Sequence, residues 1–237
     1  MEHAEKSSCG FEFRLVIRHD PLRMPPAAQR CEELGRFARL LENFGLGMSQ
    51  WFVSGDSTVP AFDSKGPTVA FIQSAADDPE SPIQFADVWN GLEGKGAAGL
   101  MLKYRKRRWS GFDFRAVEIS GLDFYENVAD LVEGALGIWP ALLVEVAPYA
   151  YSASEKVFPD RPGVGWMIYL PKRIESSRVP EASMIRHAKD VSGNLGTIIV
   201  SEIDGYFDVS NRAHVKAAND IEIRLADQDL LPLYVEL

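Results

Sequence analysis

Asp87, Glu93 and Lys95 are the side chains of this 237-residue chain whose types and spacing come nearest to a catalytic set. Two carboxylates holding a divalent cation, with an amine to stabilise developing charge, would be the chemistry of a metal-dependent hydrolase or nuclease. The surrounding residues argue against it. Trp89-Asn90-Gly91 interrupts the segment that would display the three groups, and the only basic run is Lys103-Tyr104-Arg105-Lys106-Arg107-Arg108. On an alternating strand those cations point both ways, which suits a solvated edge strand protected against aggregation better than a groove for a phosphodiester backbone. Gly94 to Gly99 matches G-x-G-x-x-G, but the LMLKYRK that follows reads as a strand, whereas a dinucleotide site needs a helix there. The four histidines (His3, His19, His187, His214) are scattered, and no pair has metal-ligand spacing. His214 has no partner that the sequence can assign. Cys31 falls on the apolar face of a predicted helix, as a small buried hydrophobe. The expectation is a protein without catalytic residues, cofactor or metal.

Acidic side chains form the sharper constellation. From Ala116 to Glu155 there is no Lys or Arg, and Glu126, Asp130 and Glu133 are spaced four and three apart, as one stripe on a helix face opposite the apolar positions. Like charges so placed cost a helix about 0.2–0.5 kcal/mol per pair. A basic partner would relieve that cost and be steered by it. Asp77, Asp78 and Glu80 form a second acidic patch in a polar loop. With a formal net charge of -9 and a sequence pI near 5.0, the chain is ill suited to nucleic acid and better suited to a cationic partner.

The elements that must position these groups follow from periodicity. Phe11, Phe13, Leu15 and Ile17 alternate with polar residues, as in a half-buried strand. Pro25-Pro26 opens a helix in which Cys31, Leu34, Phe37, Leu41 and Phe44 recur at three- and four-residue steps up to Gly45. Ser49–Val53 and Thr68–Ile72 read as short strands, 54–67 and 74–82 as loops, and 83–89 as a brief helix. Gly99–Arg108 and Phe112–Ile119 read as a hairpin turned at Trp109-Ser110-Gly111. Asp123 is placed to cap the helix that carries the acidic stripe, with Phe124, Val128, Leu131 and Ala135 on its inner face. Leu142–Val146, Gly165–Leu170 and Thr197–Glu202 read as further strands. A last helix starts at Ser210 or Asn211 and turns Val215, Ala218, Ile221 and Leu225 inward. This irregular alternation predicts an α+β fold in one domain spanning 1–237, with a mixed or largely antiparallel sheet flanked by about three main helices. No apolar run approaches a membrane span, and the start MEHAEKSSCG lacks the pattern of a secretory signal. With two cysteines, Cys9 and Cys31, the expected setting is the cytoplasm.

The closing block, 193–232, reads GNLGTIIVSEIDGYFDVSNRAHVKAANDIEIRLADQDLLP, and GWMIYLP precedes it at 165–171. Together they resemble the immunity protein 52 family of bacterial polymorphic-toxin systems. WFVSGDS at 51–57 fits the family loosely, and 74–160 does not match it. The resemblance implies a non-enzymatic protein that neutralises a cognate toxin by stoichiometric binding. That toxin would typically be a nuclease of the restriction-endonuclease fold, in the setting of type VI secretion. The matching residues read as strand and helix core, so none is carried over as inhibitory. Glu126, Asp130, Glu133, Asp77, Asp78 and Glu80 are then the candidate partner-binding residues. The alternatives are the Asp87/Glu93/Lys95 hydrolase and an acidic adaptor domain unrelated to toxins.

Overall fold

The computed structural model describes residues 10–237; His3 and Cys9 lie outside the described residues. In chain order its elements are β1 (Gly10–Ile17), α1 (Ala27–Leu40), β2 (Phe52–Val53), β3 (Phe62–Asp63), β4 (Gly66–Pro67), α2 (Val69–Ser74), β5 (Ile83–Trp89), β6 (Ala98–Arg105), β7 (Ser110–Val117), α3 (Tyr125–Leu136), β8 (Ala141–Ala147), α4 (Tyr149–Ser154), β9 (Met167–Leu170), β10 (Met184–Lys189), β11 (Leu195–Val200) and α5 (Arg212–Asp227). Nine strands form one sheet in the order β10-β11-β9-β8-β1-β7-β6-β5-β2, with β3 and β4 as a separate ribbon. Neighbouring strands of the sheet pair antiparallel. The fold is α+β, with α1, α3 and α5 as its substantial helices.

The alternation in β1 does what its pattern predicts, burying Phe11, Phe13 and Leu15 on one face. That face is covered by α1, whose Phe37 ring lies 5.8 Å from Phe13, 4.5 Å from Phe112 and 5.6 Å from Phe114. Trp139 stacks on Phe112 at 4.5 Å and an interplanar angle of 23°. Such pairs contribute about 0.5–1.5 kcal/mol each beyond their area. The α-helix stops at Leu40, a 3-10 turn carries Leu41–Phe44, and Gly45 at φ 82° ends it in the left-handed region.

Several elements differ from the sequence expectation. Thr68 does not open a strand: its hydroxyl accepts the Phe71 N–H at 3.2 Å and caps α2. The brief helix expected at 83–89 is β5, whose inward set Gln84, Ala86 and Val88 is too polar and small to display a period of two. The basic run does not lie on an edge. β6 is an interior strand between β5 and β7, and 106–109 forms the turn, because Ser110 and Gly111 already pair with Ile17 and Val16. Asp123 does not cap α3; Phe124 occupies that position without a side-chain bond. α4 and β10 are elements that the sequence did not reveal.

Much of the apolar part of the closing block is interior. Ile198, Ile199 and Val200 of β11 and Val215, Ala218, Ile221 and Leu225 of α5 are buried, and Asn211 caps α5 by accepting from Ala213 N–H at 3.0 Å. Gly165 and Gly196 are held to glycine by contact: a Cβ would stand 2.3 Å from the Ala147 Cβ at the first and 2.4 Å from the Tyr169 ring at the second.

The second face of the sheet is divided. On the β8-β9-β11 side, Glu145, Ile168 and Ile199 lie in register across three strands and are buried. Gly163 N–H and Tyr234 O–H donate to Glu145 at 2.9 and 3.1 Å. The Thr197 hydroxyl donates to the Lys172 carbonyl and accepts Ile174 N–H, so segments 157–165 and 172–174 lie on this side with the C-terminal residues. α5 holds them through Glu222, which accepts from Val157 N–H, Val164 N–H and the Tyr151 hydroxyl at 2.8, 2.8 and 2.5 Å. On the β5-β6-β7 side the same face is open: Phe85 is 52% exposed, and Asp87, Trp89, Met101, Lys103 and Asp113 are partly accessible.

Candidate interaction surfaces

The open half presents a mixed row of side chains fixed by strand register. Phe85 stands opposite Lys103, Asp87 opposite Met101, Met101 opposite Asp113, and Asp113 opposite Arg14. The charges among them are largely matched. Lys103 Nζ lies 3.2 Å from Asp113, Arg14 Nε lies 3.6 Å from Asp113, and Arg115 Nε lies 2.9 Å from Glu12. Arg14 marks the border with the covered half, because its Nη1 also approaches Glu145 at 3.8 Å. Burial pushes the Glu145 carboxyl above the usual range, opposed by Arg14 and by the Gly163 and Tyr234 donors. Glu222 is likewise raised by burial against its three donors.

The first candidate set is not assembled. Asp87 lines a recess of about 160 Å³ with Trp89, Met101, Lys103, Asp113 and Arg115. Lys95 turns instead to Glu118 at 3.4 Å. Glu93 is exposed in the loop between β5 and β6. Among the described residues, no group of three or more His, Cys, Asp or Glu gathers where it could hold a metal ion.

The acidic stripe on α3 is present but not unrelieved. Arg186 of β10 reaches Asp130 at 2.7 Å and Glu133 at 3.3 Å, while Glu126 is exposed with no ion pair among the described residues. Asp77 also has a structural duty. It faces the wholly buried guanidinium of Arg30 at 2.7 Å, and Arg30 in turn donates to the Pro25 and Ala75 carbonyls. Asp78 shapes its own turn by accepting Glu80 N–H at 3.0 Å, and Gln84 bonds to its backbone. Glu80 is exposed. Of the six residues singled out, Glu126, Glu80 and the outer edge of Asp78 are therefore free to meet a partner.

His214 and Phe85 gain assignments that the sequence did not supply, while Cys31 is buried as the sequence expected. His214 accepts Asp208 N–H at Nδ1 and points Nε2 at Glu202, 3.4 Å away. Burial pushes the Cys31 thiol up to about 12, so it is inert as a nucleophile at neutral pH. Phe85, the most exposed apolar residue of the open half, was hidden because its strand read as a helix.

No protein-family model matches the chain, and no curated protein matches it. Among solved structures it is similar in fold to Pseudomonas aeruginosa T6SS protein PA0821, with a TM-score of 0.52 and 11% identity, over 89% of this chain and 72% of that one. No helix among the described residues is long and apolar enough to cross a membrane.

Proposed function

We propose that this chain is an immunity protein that binds a cognate bacterial toxin, of the nuclease class, and neutralises it by stoichiometric inhibition in the cytoplasm, with no chemistry of its own. The observation that carries the reading is the open half of the central sheet. An antiparallel sheet can leave one face to solvent, but such a face is ordinarily polar; one that carries Phe85, Trp89 and Met101 is suited to a protein partner. The fold likeness to a T6SS protein and the resemblance of the closing block to the immunity protein 52 family support the class of partner. Exposed acids near β5, Glu93 and Glu80, would complement the basic groove a nuclease presents to its phosphodiester substrate, and Glu126, on α3 across the sheet, would add to the long-range field.

The test is co-expression with the toxin domain encoded beside it. Rescue of growth and elution of the two proteins as one complex are the expected results. A folded full-length chain that neither rescues nor binds would contradict the proposal.

A further inference from the structure

The basic run of the sequence has a structural setting that toxin binding does not use. The turn after β6 closes one side of a cleft of about 950 Å³, the larger of the two main recesses and within the size range of small-ligand sites. Arg18 and His19 at the end of β1 line one part of it, and Lys106, Arg107, Arg108 and Trp109 line another. In a chain of net charge -9, four cations facing one cleft run against the overall balance. No acidic partner accounts for them: among the described residues Arg18, Arg107 and Arg108 make no ion pair, and Lys106 Nζ meets only the Pro79 carbonyl, at 3.0 Å. The lining also holds two carboxylates, that of Glu236, which accepts Leu233 N–H at 2.7 Å, and the terminal one of Leu237, and neither forms an ion pair with these cations.

Behind the cleft wall, on the side of the buried Tyr104, lies a ring nitrogen without a bond. His19 Nε2 is buried and has no hydrogen-bond partner, while its ring packs edge-on against Tyr104 at 4.9 Å. Such a group normally finds a partner. Burial lowers the His19 pKa, which favours the neutral ring. The guanidinium of Arg105 lies over the Trp109 ring, 6.0 Å from its centroid, and props the turn from behind.

We propose that this cleft binds a small ligand carrying a diphosphate group. Two adjacent guanidinium forks with a third arginine and a lysine outnumber the two carboxylates of the lining, and planar forks match phosphate oxygens in pairs. Free pyrophosphate and a nucleoside diphosphate share the chemistry; the latter would add contact with Trp109.

Calorimetric titration of the full chain at low ionic strength with pyrophosphate, ADP and, as a non-phosphate trianion, citrate tests the proposal. Saturable one-to-one binding of pyrophosphate or ADP is expected, with citrate at least about tenfold weaker. The double variant Arg107→Ala/Arg108→Ala should weaken binding by at least about tenfold, as expected on losing charge-assisted hydrogen bonds. Both side chains are exposed and unpaired, so the variant should keep the wild-type circular dichroism and melting curve. A tighter fit for ADP than for pyrophosphate would assign the ligand as a nucleotide, and equal fits would assign recognition to the diphosphate alone. Citrate binding as tightly as pyrophosphate, full binding by the double variant, or no saturable heat would overturn the proposal. None of these outcomes bears on rescue from a toxin.

Discussion

The two halves of the sheet's second face carry similar chemistry under opposite conditions. On the covered half, Glu145 and Glu222 are buried, and five donors from three separate segments converge on them. On the open half, Asp113 and Glu12 meet lysine and arginine across solvent-accessible strands. A carboxylate removed from water must be satisfied by fixed donors or it destabilises the fold, so the covered acids organise loops. An exposed ion pair contributes only about 0–1 kcal/mol, so the open acids leave the surface free to be reshaped by whatever docks there. Burial, rather than residue type, separates scaffold from candidate interface.

The largest effect should come from breaking the covered half. Replacing Glu222 by alanine strands the Val157 and Val164 N–H groups and leaves the Tyr151 hydroxyl with Asn219 alone, and should cost about 3 kcal/mol or more in urea unfolding. The corresponding change on the open half, Asp113→Ala, should cost less than about 1 kcal/mol. Equal losses would erase the distinction between the halves.

The covered half should also report itself through pH. The Glu145 carboxyl is raised above its ordinary value of 4.5 in the folded state, so the folded protein binds a proton more readily than the unfolded chain. Its contribution is present below the unfolded value and is lost as pH rises through the folded one. The stability of Glu145→Gln relative to wild type should therefore increase from pH 4.5 upward, with a slope no steeper than about 1.4 kcal/mol per pH unit for one titrating group. Melting curves across that range check the sign; a relative stability that falls with pH would contradict the buried, raised carboxyl.

The smallest effect is expected on α3, which packs on the α1 side of the sheet, across from the open half, so that a charge there acts only at long range. Because Arg186 already engages Asp130 and Glu133, Glu126 is the member of the stripe left to steer a basic partner. Glu126→Lys should slow association with the toxin about twofold to threefold at low salt, and the difference should fade as the screening length falls from about 10 Å at 0.1 M to about 3 Å at 1 M. Stopped-flow rates at two ionic strengths decide it.

What the sequence displayed depended on whether an element advertised itself locally. β1, α1 and α5 did, because their apolar positions recur at the period of the structure they adopt. β5 did not: with Gln84 and Ala86 inside and Phe85 and Trp89 outside, its hydrophobic pattern is nearly inverted. The fold class follows from the first kind of element, and the open surface depends on the second. Long-range partners were beyond reach for a different reason. Arg186 lies 56 residues from Asp130, and Arg30 lies 47 from Asp77, so neither pairing leaves a trace in local spacing. The acidic stripe therefore read as unrelieved, and Asp77 read as a free acid.

The central claim, that the open half is the face that meets the toxin, rests most directly on Phe85. The affinity of purified Phe85→Asp for the toxin domain should be measured beside wild type, with circular dichroism to establish that the variant is folded. A side chain already 52% exposed gives up little stability, so the fold should persist while affinity falls by at least about thirtyfold, as for a hot-spot residue. A folded Phe85→Asp variant that binds as tightly as wild type would place the interface elsewhere.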